Sequence, residues 1–169
     1  MPTARHAILA VGLLCILSAC GFQLRGAGGT GLPQAWSKMH LITNNPNGEL
    51  SRELQSIFAA NGVEWVAAEQ ANYLLSVSAE RFKQRNLSLN AQARAAEFEL
   101  TLYTTFSVKN AQGVDIMKSS NASVVKQMEN DPRNVVGKAE EVRILRSEMR
   151  TELIQQIMRR IGYFAISTQ

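Results

Sequence analysis

The side chains that most often carry chemistry are scarce here: two cysteines and two histidines in 169 residues. Cys15 and His6 belong to the N-terminal stretch, so only Cys20 and His40 remain beyond it. A metal site usually draws three or four ligands from His, Cys and carboxylates, and His40 has no second histidine or free cysteine to join it. A lone cysteine cannot build a disulfide framework. No apolar run after residue 20 reaches the roughly 20 residues that a transmembrane helix requires. Charge is mixed, 18 Lys+Arg against 14 Asp+Glu for a formal +4, which is weak support for a polyanionic partner. There are no internal repeats and no low-complexity region.

What is present begins at the N-terminus. Arg5 lies ahead of the apolar run Ala7–Leu17, and small residues Ser18 and Ala19 follow it. A positive start, an apolar middle of roughly 7–15 residues and small residues at the cut make a secretory signal peptide, residues 1–19. Leu17-Ser18-Ala19-Cys20 looks like the bacterial lipobox. In that motif the cysteine receives a diacylglycerol thioether, becomes the new N-terminus and is N-acylated. The alternative is a plain secreted protein that begins near a cysteine. Removing the first 19 of 169 residues leaves 150, and loss of Arg5 takes 18 basic residues to 17 against 14 acidic ones. A chain of that size is one domain with one core. Several acyl chains, at roughly 0.8 kcal/mol per buried CH₂, fix such a protein to a membrane. With its sulfur carrying lipid, Cys20 is unavailable for catalysis.

Residues 20–37 read as a lipidated tether, extended or mobile, rich in Gly21, Gly26, Gly28, Gly29 and Gly31, with Phe22 and Leu24 as packing candidates. The domain proper is expected over 38–165, with 166–169 as a tail. Lys38–Thr43 suits a strand ended by the turn residues Asn44–Gly48. Leu50, Leu54, Ile57 and Phe58 recur at helical spacing, with Glu49 in the first turn and Asn61-Gly62 as a C-terminal cap. From Tyr73 to Arg85 the pattern has period two: Tyr73, Leu75, Val77 and Ala79 one way, Leu74, Ser76, Ser78, Glu80 and Phe82 the other. The next strand puts Phe98, Leu100, Leu102, Thr104, Phe106 and Val108 on a dry side and Glu97, Glu99, Thr101, Tyr103, Thr105 and Ser107 on a wet one. Asn110–Gly113 is a hairpin turn. Val114–Met128 returns as the partner strand, bent or exposed at Lys118–Asn121. From Val135 to about Ile161 the chain reads as one helix of roughly 25 residues, near 40 Å long. Val142, Leu145, Met149, Leu153, Ile157 and Ile161 form its stripe, and Gly162 stops it.

The fold expected from this order is α/β: a two-layer sandwich with a four-stranded mixed sheet and two helices packed on one face. The first strand–helix–strand unit should be parallel. Little here supports catalysis. His40 fits a strand residue with an ordinary hydrogen bond, and no nucleophile-elbow pattern accompanies it. Glu97 and Glu99 form a carboxylate pair in principle, but a wet sheet face accounts for them equally. The glycines of 26–31 lack the Lys-Ser/Thr of a phosphate loop. The chain is read as a binding protein, not an enzyme. Arg81, Lys83 and Arg85 should project from one side of a strand. Arg94 follows across a loop, and Lys118 and Lys126 sit on the returning strand. Together they are candidates for a basic band that reads phosphate or carboxylate groups, against the alternative of a salt-bridged, solvated strand end. A lipidated protein outside the cytoplasm does not meet nucleic acid; an anionic lipid head group or an acidic partner fits its address.

Three segments in this order resemble one family. They are Cys20-Gly21-Phe22-Gln23-Leu24-Arg25-Gly26; Asn45-Pro46-Asn47-Gly48-Glu49-Leu50-Ser51-Arg52 followed by Asn61-Gly62-Val63; and Ala96-Glu97-Phe98-Glu99-Leu100 followed by Asp131-Pro132 and the last helix. The sequence is similar to the lipopolysaccharide-assembly lipoproteins, the LptE (RlpB) family of Gram-negative bacteria. The resemblance implies an outer-membrane lipoprotein that plugs the LptD β-barrel in a 1:1 complex, helps assemble it and takes part in delivering lipopolysaccharide to the outer leaflet. Gly21 after the lipidated cysteine is similar to lipoproteins sorted to the outer membrane. The resemblance also implies lipopolysaccharide contacts near the loop between the second and third strands, here Arg85 or Arg94, and on the fourth strand, here Lys126. The loop departs from the pattern, since Asn86-Leu87-Ser88-Leu89-Asn90 carries no basic residue. The only group expected to be bound covalently is the lipid on Cys20, and no cofactor is implied. The competing reading is a periplasm-facing lipoprotein that binds an anionic lipid or scaffolds another envelope complex.

Overall fold

The computed structural model describes residues 32–89, 95–130 and 135–168; Cys20, Phe22, Leu24, Arg94 and Asp131-Pro132 lie outside them. Strand β1 (Lys38–Thr43) leads into helix α1 (Glu49–Ala60), then β2 (Glu64–Trp65), β3 (Tyr73–Val77), β4 (Arg81–Leu89), β5 (Ala95–Asn110), β6 (Asp115–Glu129) and helix α2 (Val135–Ser167). The turn chemistry is as expected. Gly48 is the N-cap of α1 and Glu49 sits in its first turn. Gly62 at φ +91° and Gly113 at φ +78° take the left-handed backbone that closes α1 and the β5–β6 hairpin.

The sheet is mixed, with β1 parallel to both β2 and β3 and β5 antiparallel to β3, β4 and β6. It has six strands, not four. A two-residue strand, β2, was too short to leave a periodic signal. The other addition comes from the run Tyr73–Arg85, which is two strands rather than one. Both β3 and β4 pair with β5 along the same edge, because β6 occupies the other. Between them the four steps from Val77 to Arg81 oppose only three from Phe106 to Tyr103. That one extra residue is a bulge. Its backbone is held by Thr105, whose carbonyl accepts from Ser78 N at 2.9 Å, and by Thr104, whose hydroxyl donates to Ser78 O at 2.8 Å. Thr104 is thus a buried polar group with a partner, the condition on which such burial is tolerated.

The bulge inverts side-chain parity, because a one-residue slip exchanges the faces of a strand. Before it, Leu75 and Val77 face the helices opposite Val108 and Phe106. After it, Phe82 opposes Leu102 and joins that same face. The expectation that Phe82 points away from Leu75 is therefore corrected. The same inversion sends Arg81, Lys83 and Arg85 to the open face, opposite Tyr103, Thr101 and Glu99.

One core lies between the sheet and the two helices. Leu54 and Phe58 of α1, Met39 of β1, Leu75 of β3, Leu100, Leu102 and Phe106 of β5, and Met149, Leu153, Ile154, Ile157 and Ile161 of α2 are all essentially inaccessible. Full burial of such side chains stabilises by roughly 1.5–3 kcal/mol each before conformational entropy is counted. Helix α2 continues through Gly162 to Ser167, about 50 Å at 1.5 Å per residue. Gly162 is therefore not a stop. It faces Leu32, whose Cδ2 would lie 4.0 Å from an added Cβ, and Ala165 beyond it is fully buried, so packing carries the helix on. Packing also reaches back ahead of Lys38: Trp36 is buried, stacked on Tyr73 at 3.8 Å and edge-on to Phe164 at 6.2 Å.

Candidate functional site

Two helices on one face leave the other face of the sheet open. Its centre is the odd-numbered row of β5, polar by sequence and flanked by β4 and β6. Arg85 donates to Glu99 through Nε at 2.6 Å and Nη2 at 2.8 Å, a two-pronged arrangement that fixes both groups. Each holds the other charged: the guanidinium is pushed above its ordinary value and the carboxyl below, through that hydrogen bond. Ser88 donates to Glu97 at 3.0 Å. The carboxylate pair Glu97/Glu99 is thus taken up by hydrogen bonds across the strands. Beside it, Lys83 sits over the Tyr103 ring, Nζ 5.2 Å from the centroid. Desolvation would raise the Tyr103 phenol, but hydrogen bonds from Lys83 and Arg81 bring it below its ordinary value. Lys83, Arg85, Glu99, Thr101 and Tyr103 line a shallow cleft of about 490 Å³. Farther along, Thr105 donates to Asn121 at 3.1 Å.

Three of the six predicted basic residues, Arg81, Lys83 and Arg85, are therefore brought together on this face, and Arg85 is already paired. Lys126 and Lys118 are not gathered with them. Lys126 opposes Leu100, which places it on the helix-facing side, where Glu148 and Glu152 of α2 hold it at 2.9 and 3.0 Å. Those two hydrogen bonds raise its pKa. Lys118 is exposed near the irregular end of β6, where the register shifts between Ser120 and Met117. Arg94 lies outside the described residues. The band expected to run across neighbouring strands does not form, because β6 flanks β5 on the edge opposite β4 and Lys126 takes the other side of the sheet.

A second polar centre joins α2 to α1 and the bulge. Arg150 interrupts the apolar stripe of α2 and is 4% exposed. It donates to Glu80 of the bulge at 2.7 and 2.9 Å and to Glu49 of α1 at 2.6 Å. Arg146, one turn earlier, donates to Glu80 at 2.8 Å and lies over the Phe82 ring at 5.2 Å. Thr151 donates to Glu53. Three elements distant in sequence are thereby locked at one corner. The spacing of Arg146 and Arg150 was a visible signal, but nothing in the chain pointed to Glu80 as their partner. Tyr103 was likewise legible only as a wet-face residue. His40 makes the ordinary bond expected of it, Nδ1 to Val66 O at 2.9 Å.

Among the described residues no group of His, Cys, Asp and Glu could hold a metal ion, and no helix is long and apolar enough to cross a membrane. The arrangement supplies a polar sheet face with a local cationic row. It can bind an anionic or hydroxyl-rich surface.

A family model for LptE, lipopolysaccharide assembly, matches residues 37–161. The LPS-assembly lipoprotein LptE of Yersinia pestis (strain Pestoides F) is 30% identical over 162 residues, which cover 93% of this chain and 76% of the relative. The crystal structure of rare lipoprotein B from Shewanella oneidensis superposes with a TM-score of 0.70 at 23% identity, covering 78% of this chain and 98% of that one. The solution structure of a lipoprotein B from Nitrosomonas europaea gives 0.72 at 21% identity, over 85% and 92% of the two chains. These two likenesses show the fold. With a match that covers every strand, the first helix and most of the second, and a relative aligned over nearly the whole chain, the protein belongs to the LptE lipopolysaccharide-assembly family.

Proposed function

We propose that the protein is an outer-membrane lipoprotein, acylated at Cys20, whose domain occupies the lumen of the LptD β-barrel. There it helps the barrel assemble and takes part in binding lipopolysaccharide and inserting it into the outer leaflet. The observation that carries this reading is the open sheet face: a full face of β5 set with Glu97, Glu99, Thr101, Tyr103, Thr105 and Ser107 while the helices bury the opposite face. A transmembrane barrel turns its apolar residues to lipid and keeps a polar interior, so a domain housed there must be polar where it meets the wall. The mechanism is binding and gating, with no covalent chemistry. Arg81 and Lys83, joined by Tyr103, are the groups best placed to meet a phosphate or carboxylate of the glycolipid. Arg85 and Lys126 reach it only by exchanging carboxylate partners, and Lys118 and Arg94 complete the candidate set.

The test is extraction of the acylated protein in mild detergent from cells of its source. The expected result is a 1:1 complex with the barrel through affinity capture and size exclusion. Protein that runs alone, while abundant and correctly acylated, sinks the plug reading.

A further inference from the structure

The last turns of α2 carry an exposed stripe that the core does not use. Arg159, Tyr163 and Ile166 follow at helical spacing on the side away from Ile161 and Ala165, and all three are exposed, Tyr163 at 73% and Ile166 at 65%. Arg160, on the flank, is occupied by Asn121 O, whereas Arg159 makes no ion pair among the described residues. An aromatic with a polar tip, a branched aliphatic and a free guanidinium are the components of an interfacial contact: the ring and the aliphatic enter the head-group boundary while the cation meets anionic lipid.

The course of the chain says what lies opposite. Leu32, the first described residue, packs beside Gly162, so the polypeptide arrives at this same end of α2. Only eleven residues lie between it and Cys20, at most about 40 Å of fully extended chain. The seven residues that precede Leu32 in sequence, Arg25-Gly26-Ala27-Gly28-Gly29-Thr30-Gly31, include no large apolar side chain. We infer that Arg159, Tyr163 and Ile166 form a membrane-contact patch that rests on the surface of the leaflet holding the acyl chains and sets the orientation of the domain there. This rests on lipidation at Cys20 and is independent of which barrel surfaces the sheet touches.

The test uses the full acylated protein carrying Tyr163→Trp, reconstituted in vesicles of phosphatidylethanolamine and phosphatidylglycerol with brominated acyl chains. The site is exposed, so the substitution leaves the core intact. Fluorescence quenching should exceed that of the parent protein, whose Trp36 is buried and Trp65 partly so, by at least twofold. Adding Arg159→Glu and Ile166→Ser should remove at least half of the excess. Quenching no greater than the parent's overturns the inference, and so does quenching abolished when the purified complex with the barrel is reconstituted, since a protein wall then covers the stripe. Vesicle flotation of the parent is read separately. Protein that floats without excess quenching refutes the contact alone, and protein that fails to float removes the anchor and the contact together.

Discussion

Arg150 and Glu80, seventy residues apart in sequence, meet through two hydrogen bonds of 2.7 and 2.9 Å, with the arginine side chain only 5% exposed and the carboxylate 12%. The pair joins the long helix to the bulge at Ser78–Glu80 that divides β3 from β4. It therefore fixes both the placement of α2 and the face on which Arg81, Lys83 and Arg85 appear.

Removing one partner of a buried ion pair leaves the other uncompensated. Glu80→Ala should cost about 3 kcal/mol, softened by the remaining contact of Arg150 with Glu49 at 2.6 Å. A fall in the urea midpoint at unchanged slope would register it. A midpoint within error of the parent's would show that Glu49 and Glu53 alone satisfy the arginine.

Acid should act through the same carboxylate. Burial raises Glu80, but hydrogen bonds from Arg150 and Arg146 outweigh it, and its pKa falls below the ordinary 4.5. A group depressed on folding stabilises fully above its unfolded value and loses that contribution as pH drops through the folded one. The unfolding free energy of the parent should thus decline with acid below about pH 4.5, and Glu80→Gln should flatten that part of the curve. Parallel pH profiles for the two proteins would refute it.

Lys126 is held between Glu148 and Glu152, and reversing its charge would set three carboxylates together. Because the lysine retains 24% exposure, solvent screens the effect, and Lys126→Glu should cost only about 1 kcal/mol. Added salt should recover part of the loss, as thermal denaturation at two ionic strengths would show.

On the open face the expected ranking of lipopolysaccharide binding is explicit. Arg81→Glu with Lys83→Glu should weaken direct binding by about tenfold, equivalent to 1.4 kcal/mol, while leaving the complex with the barrel intact. Lys126→Met should weaken it less, since its ammonium already has two partners. Equal loss from both variants, measured on the purified acylated protein, would contradict the placement of the contact.

The two helices, the β5 alternation, the hairpin and the parallel first unit were legible because each rests on local periodicity or turn chemistry. Phe98, Leu100, Leu102, Thr104, Phe106 and Val108 are all buried as that alternation required. What escaped depends on long-range fit. The bulge at Ser78–Glu80 leaves no composition signal, since Leu75 and Phe82 each look consistent with an uninterrupted period of two until β5 imposes the register. Continuation of α2 through Gly162 depends on Leu32 and on the burial of Ala165, which no helix propensity encodes. Alternation alone places Lys126 on the returning strand as a candidate for the basic band, and does not reveal that two glutamates of α2 stand over it.

Helix α2 covers part of the outer margin of β6. Gln156 accepts from Ser123 N at 3.1 Å, and Arg160 donates to Asn121 O, so side chains of the helix occupy backbone groups that a neighbouring strand would otherwise seek. If the domain does sit beside a wall of strands, as proposed, these two backbone groups are already taken, which disfavours its recruitment there as one more stave.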